Sequence, residues 1–376
     1  MIECRLNTAT GHVLLRTSDG QRELPALWLR ERHLSAEEFD LKNGQRLYDP
    51  TRIDPELAVR GVDNGAKAVR IAFSDGSSLD YDLQALAVEA GLLAPVDRLP
   101  RARPWTAKGV EPARLPFERL DAQGELLGAL EAFFQDGFLL LTETTQEAGT
   151  LESIARRFGP IRETNWGVLF DVKTTPQATD LAYTGLHLAA HTDNPYRRSV
   201  PGIQFLHCLA NDATGGMSTL VDGLAIAQRL YAEDPEAYAV LTEVPVSFRY
   251  DSEATSDRFT APILGLNDDG ELRHIRLSTR LDFVTATDPE KLKIFYRGRR
   301  RLAELAADPE IEFAFRLMPG ECLMMDNHRL LHGRTAFEHD GYRFLQGCYI
   351  DHDGPESLFR IERRRQLRRA ETGAQA

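Results

Sequence analysis

A histidine and an aspartate two positions apart are the residues whose spacing points most directly to chemistry. In His191-Thr192-Asp193 an extended backbone projects the imidazole and the carboxylate from one face, so both can bind one ion. Two imidazoles and one carboxylate on one face of an octahedron are the ligands of non-haem Fe(II) oxygenases, and they leave three positions for other molecules. The third protein ligand must come from elsewhere in the chain.

The best candidate for that third ligand is His332. It follows residues 324–331, a run typical of a buried strand that leads into a polar turn, and His328 in the same run is the alternative. Arg343 begins another apolar run, 343–349. A guanidinium can grip a carboxylate through two parallel hydrogen bonds, which suits the far carboxylate of a 2-oxo diacid, although an ordinary surface ion pair is also compatible with this residue.

The composition is that of a folded protein with an acidic surface. The 376 residues are 42% hydrophobic and 27% charged, and the net charge of −12 disfavours nucleic acid or an anionic membrane as partner. The four cysteines are widely spaced, so neither a disulfide framework nor a zinc ribbon is predicted. With no signal-like start and no apolar run long enough to span a bilayer, we expect a cytoplasmic protein.

Elements that could position these residues fall into two domains. Ser-Asp-Gly turns at 18–20 and 74–76 predict hairpins in a small β-rich domain, residues 1–94. Five prolines disfavour regular structure over 95–116, which we interpret as a linker. The domain 117–376 begins with a helical pattern that Gly137 ends. Its separated β-like runs indicate a sandwich or barrel: 202–209, 246–250, 272–277, 313–318, 322–325 and 344–350.

Several segments resemble the γ-butyrobetaine hydroxylase family of 2-oxoglutarate oxygenases. The matching segments are 27–31, 181–184, 191–195, 201–208, 215–223 and 326–334. The resemblance implies a mainly β fold with flanking helices, in which a double-stranded β-helix, or jelly roll, follows a small β-rich domain. It also implies that His191, Asp193 and His332 bind Fe(II), that Arg343 and Ser218 hold 2-oxoglutarate, that O₂ is consumed and that the protein is a homodimer.

The same resemblance implies a site for a trimethylammonium group among aromatic rings. The matching positions are Trp166, Phe170, Tyr183 and Tyr349, with Asp180 as a nearby negative charge and Asn194 as a polar group that could reach substrate. Ring faces suit a quaternary ammonium, which cannot donate hydrogen bonds. The family's anion site falls at 273–280, where Arg276 and Arg280 are the expected contacts.

Because this segment is rich in arginine, we expect a small zwitterion with a highly charged anion. The preferred substrate is 2-(trimethylammonio)ethylphosphonate, hydroxylated next to phosphorus in organophosphonate catabolism; γ-butyrobetaine and trimethyllysine-type compounds are the alternatives. The zinc site usual in the family's first domain lacks its ligands here, since residues 31–38 contain no thiolate and Cys4 is isolated, so no structural zinc is expected. A non-catalytic metal-binding jelly roll and a zinc hydrolase remain rival functions.

Overall fold

The computed structural model describes residues 2–33, 35, 37–173, 185–338 and 340–373. The chain forms two compact units, Met1–Arg98 and Leu99–Ala376. Within the described residues, none of the helices has the length and apolar character required to cross a membrane.

The first unit is built from short antiparallel strands. In chain order its elements are β1 (Glu3–Asn7), β2 (His12–Thr17), β3 (Gly20–Leu24), α1 (Ala26–Arg30), β4 (Phe39–Asp40), β5 (Gln45–Arg46), a 3₁₀ turn (Pro50–Arg52), β6 (Val59–Asn64), β7 (Ala68–Phe73), β8 (Ser78–Asp82) and α2 (Leu83–Glu89). Strands β1–β2–β3 and β6–β7–β8 form two sheets that share one buried core with Leu29 of α1. Both predicted hairpins are confirmed, as β2–β3 and β7–β8.

The second unit contains the larger sheets and the longer helices. Its elements are β9 (Arg114–Pro116), a 3₁₀ turn (Phe117–Asp121), α3 (Glu125–Asp136), β10 (Phe138–Thr142), α4 (Thr150–Arg156), β11 (Phe170–Lys173), β12 (Leu188–His191), β13 (Ile203–Asn211), β14 (Ser218–Asp222), α5 (Gly223–Glu233), α6 (Pro235–Glu243), β15 (Val246–Asp251), β16 (Ser256–Ala261), β17 (Leu264–Leu266), β18 (Leu272–Ile275), β19 (Asp282–Val284), α7 (Pro289–Ala306), β20 (Phe313–Phe315), β21 (Cys322–Asp326), β22 (Leu330–Arg334), β23 (Arg343–Ile350) and α8 (Asp353–Gly373).

Two sheets of the second unit enclose a common core. One has the strand order β11-β23-β13-β21-β10-β9 and the other the order β12-β22-β14-β20. Phe138 and Leu323 of the first sheet and Leu220 of the second belong to one buried cluster. This is the predicted mainly β class with flanking helices, a double-stranded β-helix. Its strand pairs are antiparallel except for β9 with β10.

Helices cover the outer faces of both sheets. Phe133 of α3 and Phe359 of α8 pack in one cluster with Phe205 of β13, and Leu302 of α7 packs in another with Leu331 of β22. Helix α3 ends where the sequence predicts, because Gly137 adopts a left-handed φ of 84°. A Cβ at Gly137 would also lie 3.2 Å from Leu330, so the turn into β10 is restricted both by conformation and by space.

Residues 99–116, which the sequence predicts as most of a linker, lie in the second unit. Trp105 is buried, and its indole N–H donates to the carbonyl of Asp136 at 2.7 Å. Strand β9 pairs in parallel with β10. The prolines that disfavour a helix here are compatible with an extended segment at a sheet edge, where a missing N–H costs no ladder hydrogen bond.

A buried ion pair holds the turn between β21 and β22. Arg329 donates to both carboxylate oxygens of Asp222, at 3.0 and 2.7 Å, and its remaining N–H groups donate to the carbonyls of Arg103 and Gln135. Asp222 also accepts the amide of Trp105 at 3.1 Å. The pair is therefore hydrogen-bonded on both sides, which is the condition under which buried charges are tolerated.

Replacing Arg329 with methionine is expected to lower the free energy of unfolding by about 3–5 kcal/mol, because the buried Asp222 carboxylate loses its charge partner. Urea unfolding followed by tryptophan fluorescence measures the effect. Arg70→Met is the control, since the pair of Arg70 with Asp80 is exposed and its loss should leave the midpoint nearly unchanged. Equal midpoints for the two variants would contradict the role assigned to Arg329.

Candidate metal centre

The pairing of β12 with β22 brings two histidines side by side. His191 lies opposite His332 in this antiparallel pair, and their ring centroids are 4.5 Å apart. Asp193 follows two residues later, with Oδ1 at 3.4 Å from Nε2 of His191 and 3.8 Å from Nε2 of His332. Potential ligand atoms of the three residues all lie within 4.8 Å of one another, and no other such group of three occurs in the described part of the chain.

His328, the alternative ligand, lies outside this group. Its Nε2 is 3.0 Å from the carbonyl of Val200, and its ring contacts His352 at 4.7 Å between centroids. His328 belongs to the turn between β21 and β22, whereas His332 lies within β22 and faces His191. The strand register thus brings His332 close to His191 and Asp193 and leaves His328, four residues earlier, outside the group.

Hydrogen bonds orient the His191 ring and hold the backbone of Asp193. Nδ1 of His191 lies 2.9 Å from the carbonyl of Ala189, which can only accept, so Nδ1 is the donor and the Nε2 lone pair is left for a metal. The side chain of Asn327 accepts the amide of Asp193 at 2.8 Å and donates to the carbonyl of the same residue at 3.1 Å. The backbone of Asp193 is therefore held on both sides although it lies outside any strand.

The carboxylate of Asp193 has two different oxygens. Oδ2 accepts hydrogen bonds from Gln204 Nε2 at 2.7 Å and from the Tyr349 hydroxyl at 2.6 Å, while Oδ1 faces the histidines. Burial alone raises the pKa of Asp193, but the interactions with His332 and His191 and the hydrogen bond from Tyr349 outweigh burial and hold that pKa well below its usual value. The group is therefore an anion at neutral pH.

Burial lowers the pKa of His332 to about 4, so its imidazole is neutral near pH 7. Burial and the neighbouring Asp193 raise the pKa of Tyr349 well above its ordinary value, so the phenol remains a hydrogen-bond donor. One anionic oxygen and two neutral imidazole nitrogens are the donor set that Fe(II) takes in facial-triad sites. The residues present therefore fit a non-haem iron.

His191, Asp193 and His332 line a cavity that contains a buried guanidinium. Arg343, at the start of β23, is 7% exposed, and its Nε has no acceptor among the described residues. Burial lowers the pKa of Arg343 to about 10, which leaves it charged at neutral pH. Ser218 and Arg334 line the same cavity and are partners in the β14–β22 pair.

Arg334 is a residue that the sequence analysis assigns no role. It lies two positions after His332 in β22, and residues two apart in a strand share a face, so this spacing was an available signal. Its Nη2 donates to the carbonyl of Leu186 at 2.9 Å, and its guanidinium lies 4.7 Å from the ring centroid of Phe337. The cavity is thus lined by two guanidinium groups, which suits an anionic ligand.

A second cavity, also lined by His191 and Asp193, is walled by aromatic rings. The described rings that line it are Trp166, Phe170, Tyr196, Tyr250 and Tyr349. Phe170 stacks on Tyr349 at 5.2 Å between centroids, Tyr196 stacks on Tyr250 at 5.1 Å, and Trp166 lies 5.6 Å from Tyr250. His191, Asp193 and Phe170 line both cavities, so the two meet at the predicted metal ligands.

The remaining predicted substrate contacts are placed differently. Asn194 and Arg280 line the aromatic cavity, whereas Asp180 and Tyr183 lie outside the described residues. Arg276 is not brought to the cavity wall: it is 6% exposed and donates to the carbonyls of Pro195 and Arg197 at 2.7 and 2.9 Å. Tyr196 and Tyr250 are rings that the sequence analysis missed.

Comparisons with known proteins agree with this geometry. Residues 100–349 match the taurine catabolism dioxygenase TauD, TfdA family, and residues 4–87 match the γ-butyrobetaine hydroxylase-like N-terminal family. A γ-butyrobetaine dioxygenase of Pseudomonas sp. (strain AK-1) is 38% identical over 89% of this chain and 88% of its own. The mitochondrial trimethyllysine dioxygenase of Rattus norvegicus is 30% identical over 96% of this chain and 87% of its own.

Solved structures with the same fold are more distant in sequence. AAD-2, solved with Mn(II) and N-oxalylglycine, superposes with a TM-score of 0.52 at 17% identity, over 66% of this chain and 97% of its own. A taurine dioxygenase from Burkholderia xenovorans gives 0.50 at 17% identity, over 68% and 94%. These structures support the fold. The family match over residues 100–349 and the 38% identity to a γ-butyrobetaine dioxygenase show that the chain belongs to the TauD, TfdA family and is a 2-oxoglutarate-dependent non-haem iron dioxygenase with a γ-butyrobetaine hydroxylase-like N-terminal domain.

Proposed function

We propose that His191, Asp193 and His332 bind Fe(II), that Arg343 and Ser218 bind the far carboxylate of 2-oxoglutarate, and that the aromatic cavity binds a small quaternary-ammonium substrate for hydroxylation. The observation that carries this proposal is the meeting of two unlike cavities at the three ligands. One cavity offers buried positive charge and the other offers ring faces.

Iron bound at this site would supply the activation of O₂ and the attack on a C–H bond, and the protein would supply position and exclusion of water. Arg343 has a buried Nε without an acceptor, an arrangement that is costly unless an anion binds. Ser218 lines the cavity beside it and offers a hydroxyl donor. Both features favour a carboxylate beside Arg343 and Ser218 in this cavity.

The ring-lined cavity supports a quaternary ammonium as the substrate's cation. Each ring face within reach of a cation contributes roughly 0.5–2 kcal/mol, depending on how far the pair is desolvated. Five described rings line this cavity, and Tyr196 and Tyr349 are buried. The two relatives named above are a γ-butyrobetaine dioxygenase and a trimethyllysine dioxygenase, whose named substrates both carry a trimethylammonium group.

The contacts of Arg276 and Arg280 favour a carboxylate over a phosphonate as the substrate's anion. The expectation of a phosphonate depended on several guanidinium groups, but Arg276 donates to backbone carbonyls and lies 4.7 Å over the ring of Phe259. Arg280 lines the cavity, and its charge contributes to the lowered pKa of His332. A single guanidinium suits a carboxylate, so we propose γ-butyrobetaine as the leading candidate, ahead of 2-(trimethylammonio)ethylphosphonate.

The rival functions differ in what they consume. A zinc hydrolase using the same ligands would work without O₂ and without 2-oxoglutarate, and a non-catalytic module would release no succinate. The buried guanidinium of Arg343 beside the metal site supports the oxygenase, because a hydrolase has no use for a diacid there.

His191→Ala is expected to abolish turnover and to weaken Mn(II) binding by more than the roughly 10–100-fold loss typical of an outer hydrogen-bond partner, because a direct ligand is removed. Anaerobic calorimetry with Mn(II) in place of Fe(II) measures the affinity. His328→Ala is the control, since His328 lies outside the ligand group and should retain wild-type affinity. Weakened Mn(II) binding in His328→Ala together with wild-type affinity in His191→Ala would make His328 the ligand and exclude His191.

Succinate release with γ-butyrobetaine should exceed that with 2-(trimethylammonio)ethylphosphonate at equal concentration. Replacing the ammonium nitrogen of γ-butyrobetaine by carbon keeps its shape and removes its charge, and should lower kcat/KM at least about tenfold if ring faces bind the cation. Greater turnover of the phosphonate would restore the original order of preference. Equal kcat/KM for the carbon analogue would remove the ammonium site from the proposal.

Arg280→Gln is expected to raise the KM for γ-butyrobetaine by about tenfold or more and to leave the KM for 2-oxoglutarate nearly unchanged, because a charge-assisted hydrogen bond to the substrate's carboxylate is lost. Steady-state kinetics with each substrate varied in turn separates the two. Arg273→Gln is the matched control: Arg273 lies in the same segment, is exposed and does not line the cavity. A KM for γ-butyrobetaine equal to that of the control would exclude Arg280 as the contact.

A further inference from the structure

Oδ2 of Asp193 accepts two hydrogen bonds, from the Gln204 amide and the Tyr349 hydroxyl, to which the proposed function assigns no role. Gln204 and Tyr349 lie opposite each other in the β13–β23 pair, and both donate to Oδ2. An ionised carboxylate oxygen has about two lone-pair positions, so these two hydrogen bonds account for the acceptor capacity of Oδ2. Only Oδ1 then remains for a metal.

Both donors are fixed in place. Gln204 is 2% exposed and Tyr349 is 3% exposed, so neither donor side chain can turn into solvent without leaving its packed position. Tyr349 is further held by stacking on Phe170. Gln204 has a single favourable orientation, because turning its amide over would place Oε1 against the carboxylate instead of the donating Nε2.

We propose that Gln204 and Tyr349 are positioning residues that restrict Asp193 to binding iron through one oxygen and so keep a coordination position open for 2-oxoglutarate. This inference rests on the proposed metal site. A carboxylate can bind a cation through one oxygen or two. If the donors to Oδ2 were removed, the second oxygen could turn to the metal and occupy a position that the co-substrate needs.

The proposal predicts that two affinities change in opposite directions. Without the donors, Asp193 can offer both oxygens, so metal affinity should stay constant or rise while 2-oxoglutarate affinity falls. General damage to the site would lower both affinities together. This opposite change therefore distinguishes a positioning role from a merely structural one.

The variants are Gln204→Met, which keeps length and removes the donor, Tyr349→Phe, which keeps the ring face and removes the hydroxyl, and the double variant. Anaerobic titration of the Fe(II) protein with 2-oxoglutarate, followed by its visible charge-transfer absorption, gives the dissociation constant. Calorimetry with Mn(II) gives the metal affinity. In the double variant we expect 2-oxoglutarate to bind about tenfold more weakly. Loss of a residue that hydrogen-bonds to a metal ligand typically lowers affinity or activity by about 10–100-fold, and this expectation is at the lower end of that range.

Gln346→Met is the matched control. Gln346 is also a buried glutamine in the same sheet, but its amide donates to Asp171 and accepts from Gly149, and it does not line either cavity. We expect no opposite change of the two affinities in this variant. Melting temperatures measured in parallel report the cost of losing a buried amide at each position.

Three results would overturn the proposal. If the wild type shows no charge-transfer absorption with Fe(II) and 2-oxoglutarate, the metal site itself fails and this inference fails with it. If the wild type forms the complex and all donor variants bind 2-oxoglutarate equally well, only the positioning role is lost. A parallel fall of both affinities, in the double variant and in Tyr349→Phe alike, would assign Gln204 and Tyr349 a structural role.

Discussion

The antiparallel pairing of β12 with β22 is the constraint on which the site depends. It places His191 opposite His332, so the distance between two proposed ligands is set by backbone geometry. The third ligand has no such support, since β12 ends at His191 and Asp193 lies beyond it. Asn327 supports Asp193 instead, through two hydrogen bonds to its backbone. Asn327 lies in the turn between β21 and β22, and Arg329 fixes this turn by its ion pair with Asp222.

The buried charges near the site differ in how fully the described residues satisfy them. Asp222 has Arg329, Asp193 has Gln204 and Tyr349, and Arg276 has backbone carbonyls. These groups stabilise particular loops and strands. The Nε atoms of Arg276 and Arg343 both lack an acceptor among the described residues, but Arg276 donates through Nη1 to two backbone carbonyls, whereas the Arg343 side chain makes no such hydrogen bond to a described residue. Burying such a group is unfavourable for the protein alone, which is why it indicates a ligand and not a structural ion pair.

Local signals in the sequence predicted much of this arrangement, and three-dimensional packing decided the rest. Asp-Gly turns identified both hairpins of the first unit, and the spacing of His191 and Asp193 suggested a metal before any comparison. Local sequence alone does not distinguish His328 from His332 as the third ligand. The distinction depends on which residue of β22 lies opposite His191 of β12, which is distant in sequence.

The positions of Arg276 and Arg280 were likewise not predictable from local sequence. Arg276 and Arg280 are an even number of residues apart and would share a face if the strand continued, but β18 ends at Ile275 and the alternation ends with it. Tyr250 reaches the cavity from β15, more than fifty residues after Tyr196 on which it stacks, and no spacing rule connects them. Gln204 had a weaker signal, since a single amide within the apolar run 202–209 must find a buried partner.

Strand β23 contributes residues to both the proposed co-substrate site and the proposed substrate site. Arg343, Leu345, Gly347 and Tyr349 alternate along one face of this strand, and six residues of strand span roughly 20 Å. Arg343 and Leu345 line the cavity with buried positive charge, and Tyr349 lines the aromatic cavity.

Gly347 lies between Leu345 and Tyr349 on this face of β23, at a position where a side chain would clash with a neighbouring ring. A Cβ there would lie 2.3 Å from the ring of Phe170, the residue that borders both cavities and stacks on Tyr349. A larger residue would displace that ring and with it the support of Tyr349. The positions of Arg343, of the Phe170 ring that borders both cavities and of the Tyr349 hydroxyl that donates to Asp193 are therefore set together by β23.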